Sequence, residues 1–322
     1  MVLFAILLTM AGTACAATVA VTGESLNEGT PPVYASGDTI QVTGATLSAA
    51  GWETLALATS NFALEFENGQ TSIPGKAMYN NGYLTSLTAN DVTTVGADAF
   101  AASVLTNVTL PAATAIGEAA FATSDLASAS LPVVKTIETR AFSGTPLTSV
   151  SLPAATEIGD FAFNECTRLT SVSLPVAATV GTRAFYGSGL TSVTLPAATA
   201  IGSQAFLGSS QLKSATLPVV KTIGDRAFEG CVTLGELHLD DADPTTGTDA
   251  FKSVPSGLLI YTSKKALKGT AYPDGYRLVT SGEDSGGGGC NTGIGGVLAI
   301  LAAWTAGMAG KRGHRKGVVE DK

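Results

Sequence analysis

His238 follows Glu236 by two residues in the stretch GELHLDDADP (235–244), and Asp240, Asp241 and Asp243 stand close behind. An imidazole beside a carboxylate is the least that general-base chemistry requires. Carboxylates gathered in a turn are what a calcium ion takes. Neither chemistry is completed. Strand spacing sends Glu236 and His238 outward together, and the other histidine, His314, lies in a basic tail. The acidic residues lack the ligand spacing of an EF-hand loop. The chain has no Walker loop, no HExxH pair and no paired CxxC. The sequence therefore predicts no catalytic residue, no metal site and no cofactor, and reads the cluster as a solvated edge.

A second reactive group is the thiol of Cys290, directly after Gly289 in SGGGGCNTGIGG (285–296). Residues 280–290 have the Gly/Ser/acidic composition of a flexible linker. The apolar run that follows, 294–309, would span ~24 Å as a helix, short of a ~30 Å bilayer core. Lys311, Arg312, Arg315 and Lys316 come next, and such a cluster stays on the cytoplasmic side. Residues 291–322 thus read as a transient stop-transfer segment tying the chain to a membrane. The opening MVLFAILLTMAGTACAATV has signal-peptide length and an A-x-A site at Ala14–Ala16, although no Lys or Arg precedes the apolar run. Residues 1–17 are read as a signal peptide, and the protein as exported and displayed at the cell surface.

The formal charge is −8, and without residues 311–322, which hold five basic and two acidic residues, it is −11. A body so acidic is no partner for nucleic acid, whose phosphates need a basic face. The basic end serves a separate task.

What must position any site is a repeat. Leu-Pro recurs at Leu110, Leu131, Leu152, Leu174, Leu195 and Leu217, in steps of 21 or 22 residues. Each is followed by an aliphatic residue, usually with glycine (Ile116-Gly117, Ile158-Gly159, Val180-Gly181, Ile201-Gly202, Ile223-Gly224), and then by Ala-Phe. The phenylalanines are Phe100, Phe121, Phe142, Phe163, Phe185, Phe206, Phe228 and Phe251, with Met78 in the same slot of a worn first copy. In LTSVTLPAATAIGSQAF (190–206), Val193 and Leu195 alternate with Ser192 and Thr194, which is the period of a short strand with one face inward. Pro196 ends the strand, Ile201 re-enters the core, Gly202 permits a tight bend, and Ala205-Phe206 fits a short helical turn plugging the interior. No unit can cover its own apolar residues, so the units must stack. The fold class expected is a right-handed repeat solenoid of short parallel strands with helical or irregular turns opposite. Residues 59–254 would make about nine coils, 18–58 an N-terminal cap or a small β module, and 255–279 a C-terminal cap.

Stacking would align the outward strand residues in two ladders. One is Asn107, Ser128, Ser149, Ser171, Ser192 and Ser214; the other is Thr109, Ser130, Ser151, Ser173, Thr194 and Thr216. This flat hydroxyl face is the candidate binding surface, and it lacks Trp, Tyr or Arg anchors. Glu138 with Arg140, and Asp225 with Arg226, read as exposed ion pairs of little energetic worth. Cys166 and Cys231 each follow a repeat phenylalanine by three; three coils apart is too far for a disulfide, so both read as lone buried thiols.

The pattern L-T-S-V-x-L-P-x-x-x-x-I-G-x-x-A-F resembles the BspA-like, or treponemal, class of leucine-rich repeats over about residues 60–255. The resemblance implies a curved parallel solenoid, display on bacterial surfaces, and adhesion to host or matrix proteins. The string from Ser285 through Arg312 resembles C-terminal sorting signals of the Synerg-CTERM type. That resemblance implies recognition by a membrane protease, loss of the tail and transfer to an anchor at Cys290. The functional expectation is a monomeric, non-catalytic, surface-anchored module that binds an extracellular protein or glycan. The alternative is a passive spacer of the cell envelope.

Overall fold

The computed structural model describes residues 18–280, except 30, 31, 33, 44, 45, 241 and 265–271. These residues form a parallel β-solenoid of about 11 turns. One ladder begins with Thr18–Thr22, Asp38–Thr43, Phe62–Phe66 and Leu84–Ala89, continues through three-residue strands such as Asn107–Thr109 and Ser192–Thr194, and ends with Glu236–Asp240, Leu259–Thr262 and Arg277–Thr280. Every pairing in it is parallel, as in Asn107↔Ser128 and Ser214↔Glu236, with register shifts only after Phe62 and after His238. Nine coils lie from Phe62–Phe66 to Glu236–Asp240. Thr18–Thr22 and Asp38–Thr43 pair into Phe62–Phe66, so the strands of 18–58 continue the same ladder.

A second parallel ladder, of two-residue strands from Ser72–Ile73 to Thr245–Thr246, carries the aliphatic residue before the glycine. Sequence reading placed Ile201 in the core but not in a strand. Alternation cannot show in two residues, which is why the period-two signal was silent there. The glycines of this ladder also differ from expectation. They are not tight bends: none has a left-handed φ. They allow close approach instead. A β-carbon on Gly202 would lie 2.5 Å from the carbonyl carbon of Gly181, and one on Gly224 would lie 2.5 Å from Ser203 N. Glu138 interrupts the glycine column, and a shallow depression of about 510 Å³ opens there, lined by Glu118, Glu138, Glu157 and Asp160.

The third side of each coil is a turn, not a helical segment. The residue two before each repeat phenylalanine is left-handed, including Ala119 (φ 51°), Phe161 (φ 58°) and Arg183 (φ 54°). The residue two after it is left-handed as well, and there glycine stands in four coils, at Gly144, Gly187, Gly208 and Gly230. This geometry lets three amides per coil donate to carbonyls of the next coil: Phe161 N to Thr182 O (2.8 Å), Phe163 N to Ala184 O (2.7 Å) and Glu165 N to Tyr186 O (2.8 Å). The turns are thus hydrogen-bonded from coil to coil as fully as the strands, which satisfies backbone groups that stacking would otherwise strand in the interior.

The core between the three sides holds the repeat's apolar positions. In one unit Leu190, Val193, Leu195, Ile201, Ala205 and Phe206 are all buried. The eight phenylalanines stack along the axis with centroids 5.1–5.4 Å apart and planes within 10° of parallel. Tyr272 extends the column, 5.3 Å from Phe251. At the other end the helix Ala49–Ala56, capped by Ser48, buries Trp52 and Leu55 over the first coils.

Candidate binding surfaces

The outward residues of the long ladder lie where the period-two reading put them. Ser149 pairs with Ser171, Ser151 with Ser173, Ser192 with Ser214 and Thr194 with Thr216. Asn107, Thr109, Ser128 and Ser130 align the same way. Ten of the twelve are exposed, and Ser214 and Thr216 are half-buried. The ladder is interrupted between Ser128–Ser130 and Ser149–Ser151, and again between Ser171–Ser173 and Ser192–Thr194.

Threonines beside the strands have a different task, which the sequence did not reveal. Thr106 Oγ1 donates to Thr85 O (2.9 Å), and Thr170 Oγ1 to Thr148 O (3.2 Å). Across the Leu-Pro corner, Thr114 Oγ1 donates to Thr93 O (3.2 Å) and Thr199 Oγ1 to Ala178 O (3.3 Å). These hydroxyls extend the backbone ladder from coil to coil. Those on the strand face point away from it.

At the C-terminal end the small hydroxyls give way to larger groups. Glu236 follows Ser214 in register, His238 follows Thr216, and Tyr261 follows His238. His238 Nε2 lies 3.6 Å from Glu236 Oε2, and its ring stacks on Tyr261 at 4.2 Å with planes 3° apart. The Glu236–His238 juxtaposition was legible from spacing; Tyr261 was not, because it comes from the next coil. A register shift after His238 skips Leu239 and pairs Asp240 with Thr262. Among the described residues no group of three His, Cys, Asp or Glu side chains is placed to hold a metal ion.

Cys166 and Cys231 are buried and free, and they belong to a column of seven. The residue three after each phenylalanine from Phe100 to Phe228 is Ser103, Ser124, Thr145, Cys166, Ser188, Ser209 or Cys231, each buried. Thr145 Oγ1 donates to Phe142 O (2.9 Å), Cys166 Sγ to the same carbonyl (3.0 Å) and Cys231 Sγ to Phe206 O (3.2 Å). The thiols therefore substitute for hydroxyls as donors. Burial pushes the Cys166 thiol up and the Cys231 thiol up to about 12, so both are held protonated and poorly nucleophilic.

The ion pairs expected beside the second ladder do not form. Glu138 Oε2 accepts from Glu118 N (3.0 Å), and Asp225 Oδ1 accepts from Thr248 N (2.7 Å). Asp160 Oδ1 does the same for Thr182 N (2.7 Å). These carboxylates satisfy amides beside the glycine column, where a charge-assisted bond outweighs an exposed ion pair. Arg226 turns instead to Glu229, 3.5 Å away. Arg140 and Arg183 flank the Phe161 ring, with guanidinium carbons 5.1 and 5.6 Å from its centroid.

Gly289, Cys290, the signal peptide and the 291–322 segment lie outside the described residues. Among the described residues no helix is long and apolar enough to cross a membrane.

Short parallel strands, stacked coils and one leucine column per coil define a leucine-rich repeat solenoid. Residues 57–157 and 135–256 match the BspA type leucine rich repeat region, in six copies, and the chain belongs to that family. Among solved structures, a leucine-rich repeat protein from Bacteroides ovatus is 20% identical, with a TM-score of 0.51 over 87% of this chain and 90% of that one; it agrees in fold. A T. pallidum leucine rich repeat protein is 26% identical, with a TM-score of 0.40 over 59% of this chain and 86% of its own. The pneumococcal vaccine antigen PcpA is 14% identical, with a TM-score of 0.35 over 85% and 96%. Among curated proteins none matches the chain.

Proposed function

We propose that this is an exported, non-catalytic module that binds an extracellular protein or glycan as a monomer, held at the cell surface through residues 280–322. The observation that carries the reading is a division of labour among hydroxyls. The threonines at the strand corners spend theirs on neighbouring carbonyls, whereas the ladder hydroxyls from Thr109 to Thr194 are exposed, in register within each run of paired strands. A regular row of free donors and acceptors fits a polar partner with its own repeat. Its lack of Trp, Tyr and Arg anchors favours a second reading, a spacer kept soluble by this face.

Retention separates the two readings. Immobilised mature protein should hold cells, matrix protein or glycan from its natural surroundings, and replacing Ser149, Ser151, Ser171 and Ser173 by lysine should reduce that retention. Equal retention by wild type and variant removes the hydroxyl face from the reading. No retention at all favours the spacer. Mass spectrometry of the native protein tests the sorting signal: an end at or near Cys290 supports it, and an intact sequence beyond Lys311 excludes processing.

A further inference from the structure

The geometry points to a second binding surface on the turn side of the solenoid, centred on Arg140 and Arg183, that takes a linear polysaccharide bearing one carboxylate in every disaccharide. The backbone there is left-handed, the region where a β-carbon is disfavoured. Yet Arg140, Phe161, Arg183 and Gln204 occupy four successive coils (φ 54–59°). Four planar side chains in a row are more than the turn requires, since alanine serves at Ala119 with φ 51°.

Their arrangement leaves charge over. Both guanidinium groups lie over the Phe161 ring, an attraction between cation and ring face that restrains the two side chains. Arg183 Nε donates to Gln204 Oε1, and its guanidinium also lies 5.7 Å from the Tyr186 ring. The nearest acids, Glu138 and Asp160, spend their oxygens on backbone amides and form no ion pair with either arginine. Among the described residues neither arginine is in an ion pair, whereas Arg226 of the same column is paired with Glu229. Two guanidinium forks without ion-pair partners can take an anion, and a planar fork matches a carboxylate with two parallel hydrogen bonds.

Spacing chooses the ligand. Alternate coils, at ~4.8 Å per strand, put the two forks roughly 10 Å apart along the axis. An extended peptide repeats a face every ~6.8 Å and misses this register. An acidic helix would need an apolar groove for its other face, and the residues just before the column positions are Thr139, Asp160, Thr182 and Ser203, polar throughout. A polysaccharide with its acid on every second sugar repeats on the required scale, and these groups suit its hydroxyls.

The inference depends on the proposed extracellular role only for where the ligand is met. Its test uses hyaluronan oligosaccharides as probe, the mature chain as receptor, low ionic strength, and poly-L-glutamate and neutral dextran as comparisons. Wild type should bind hyaluronan in preference to both, and Arg140→Gln with Arg183→Gln should weaken binding at least tenfold. Arg226→Gln should change it less than twofold. Independently, hyaluronan should protect Arg140 and Arg183 of the unaltered protein from phenylglyoxal, read peptide by peptide. Equal binding by wild type and the double variant, tighter binding of poly-L-glutamate, or no protection overturns the site. If hyaluronan fails while cells or matrix are still retained through the hydroxyl face, only this inference falls.

Discussion

Phe163 and Phe185 lie one above the other in successive coils, with ring centroids 5.3 Å apart and planes 2° from parallel. Both are fully buried. Twenty-two residues separate them in sequence, so the contact exists only because one whole coil closes between them. Each ring belongs to its own coil and to the covering of the next, which is how a repeat array couples its units. Removing a central ring opens a void that coils on both sides must share. Phe163→Ala should cost about 3–5 kcal/mol, measured by urea unfolding of the whole chain. Met78→Ala, at the first slot of the column, should cost less and leave central coils protected from proteolysis. Equal losses at the two positions would count against coupling through the column.

The glycines divide into two kinds, and alanine should tell them apart. At Gly202 a β-carbon meets the Gly181 backbone at 2.5 Å, while at Gly187 nothing lies within 4 Å and the penalty is φ +63° alone. Gly187→Ala should cost about 1 kcal/mol. Gly202→Ala has no flexible side chain to displace, so it should cost about 1–3 kcal/mol and lower the thermal midpoint further. A larger loss at Gly187 would mean that the coils are not in the close register described.

Much of this architecture is legible in the sequence, because the 21- or 22-residue period repeats the same physical problem eight times. Val193 and Leu195 give the strand, Pro196 its end, and the Phe100–Phe251 column the spine. The parts that escaped are those with no periodicity of their own. A two-residue strand such as Ala200–Ile201 cannot alternate. Left-handed turns are signalled by Gly187 and Gly208 but hidden by Phe161 and Arg183, whose residue types argue against them. Pairings between coils, such as His238 with Tyr261 or Asp160 with Thr182, depend on register across some 22 residues. Local charge rules therefore put Glu138 and Asp225 with the wrong partners.

The buried thiols make alkaline stability informative. Cys231 is shifted from 9.0 to about 12 by burial. Below pH 9 the thiol is protonated in both folded and unfolded chains and the shift is without effect. Between about pH 9 and 12 the unfolded chain releases the proton and the folded one keeps it, so stability falls as pH rises, by at most ~1.4 kcal/mol per pH unit for one site. Cys231→Ser should preserve the hydrogen bond to Phe206 O and flatten that decline. In the native protein, iodoacetamide at neutral pH should leave Cys166 and Cys231 unmodified until denaturant is added. Rapid native labelling of either residue would contradict its placement.

The division among hydroxyls predicts unequal costs for removing them. Thr145 is buried and donates to Phe142 O, so Thr145→Val removes one of that carbonyl's donors, Cys166 Sγ remaining, and should cost about 1 kcal/mol. Ser149 is exposed on the strand face, and Ser149→Ala should stay within about 0.5 kcal/mol. Thermal unfolding of the two variants side by side gives the comparison; equal costs would put structural weight on the outer face.

Hydrogen exchange resolved to single amides reaches the stacking itself. The Phe121, Phe142, Phe163, Phe185 and Phe206 amides each donate to a carbonyl of the following coil at 2.7–2.8 Å, so they should exchange only with global unfolding and more slowly than amides of the terminal coils. Exchange of these five amides at the rate of an open chain, in otherwise native protein, would show that the coils do not share one continuous core.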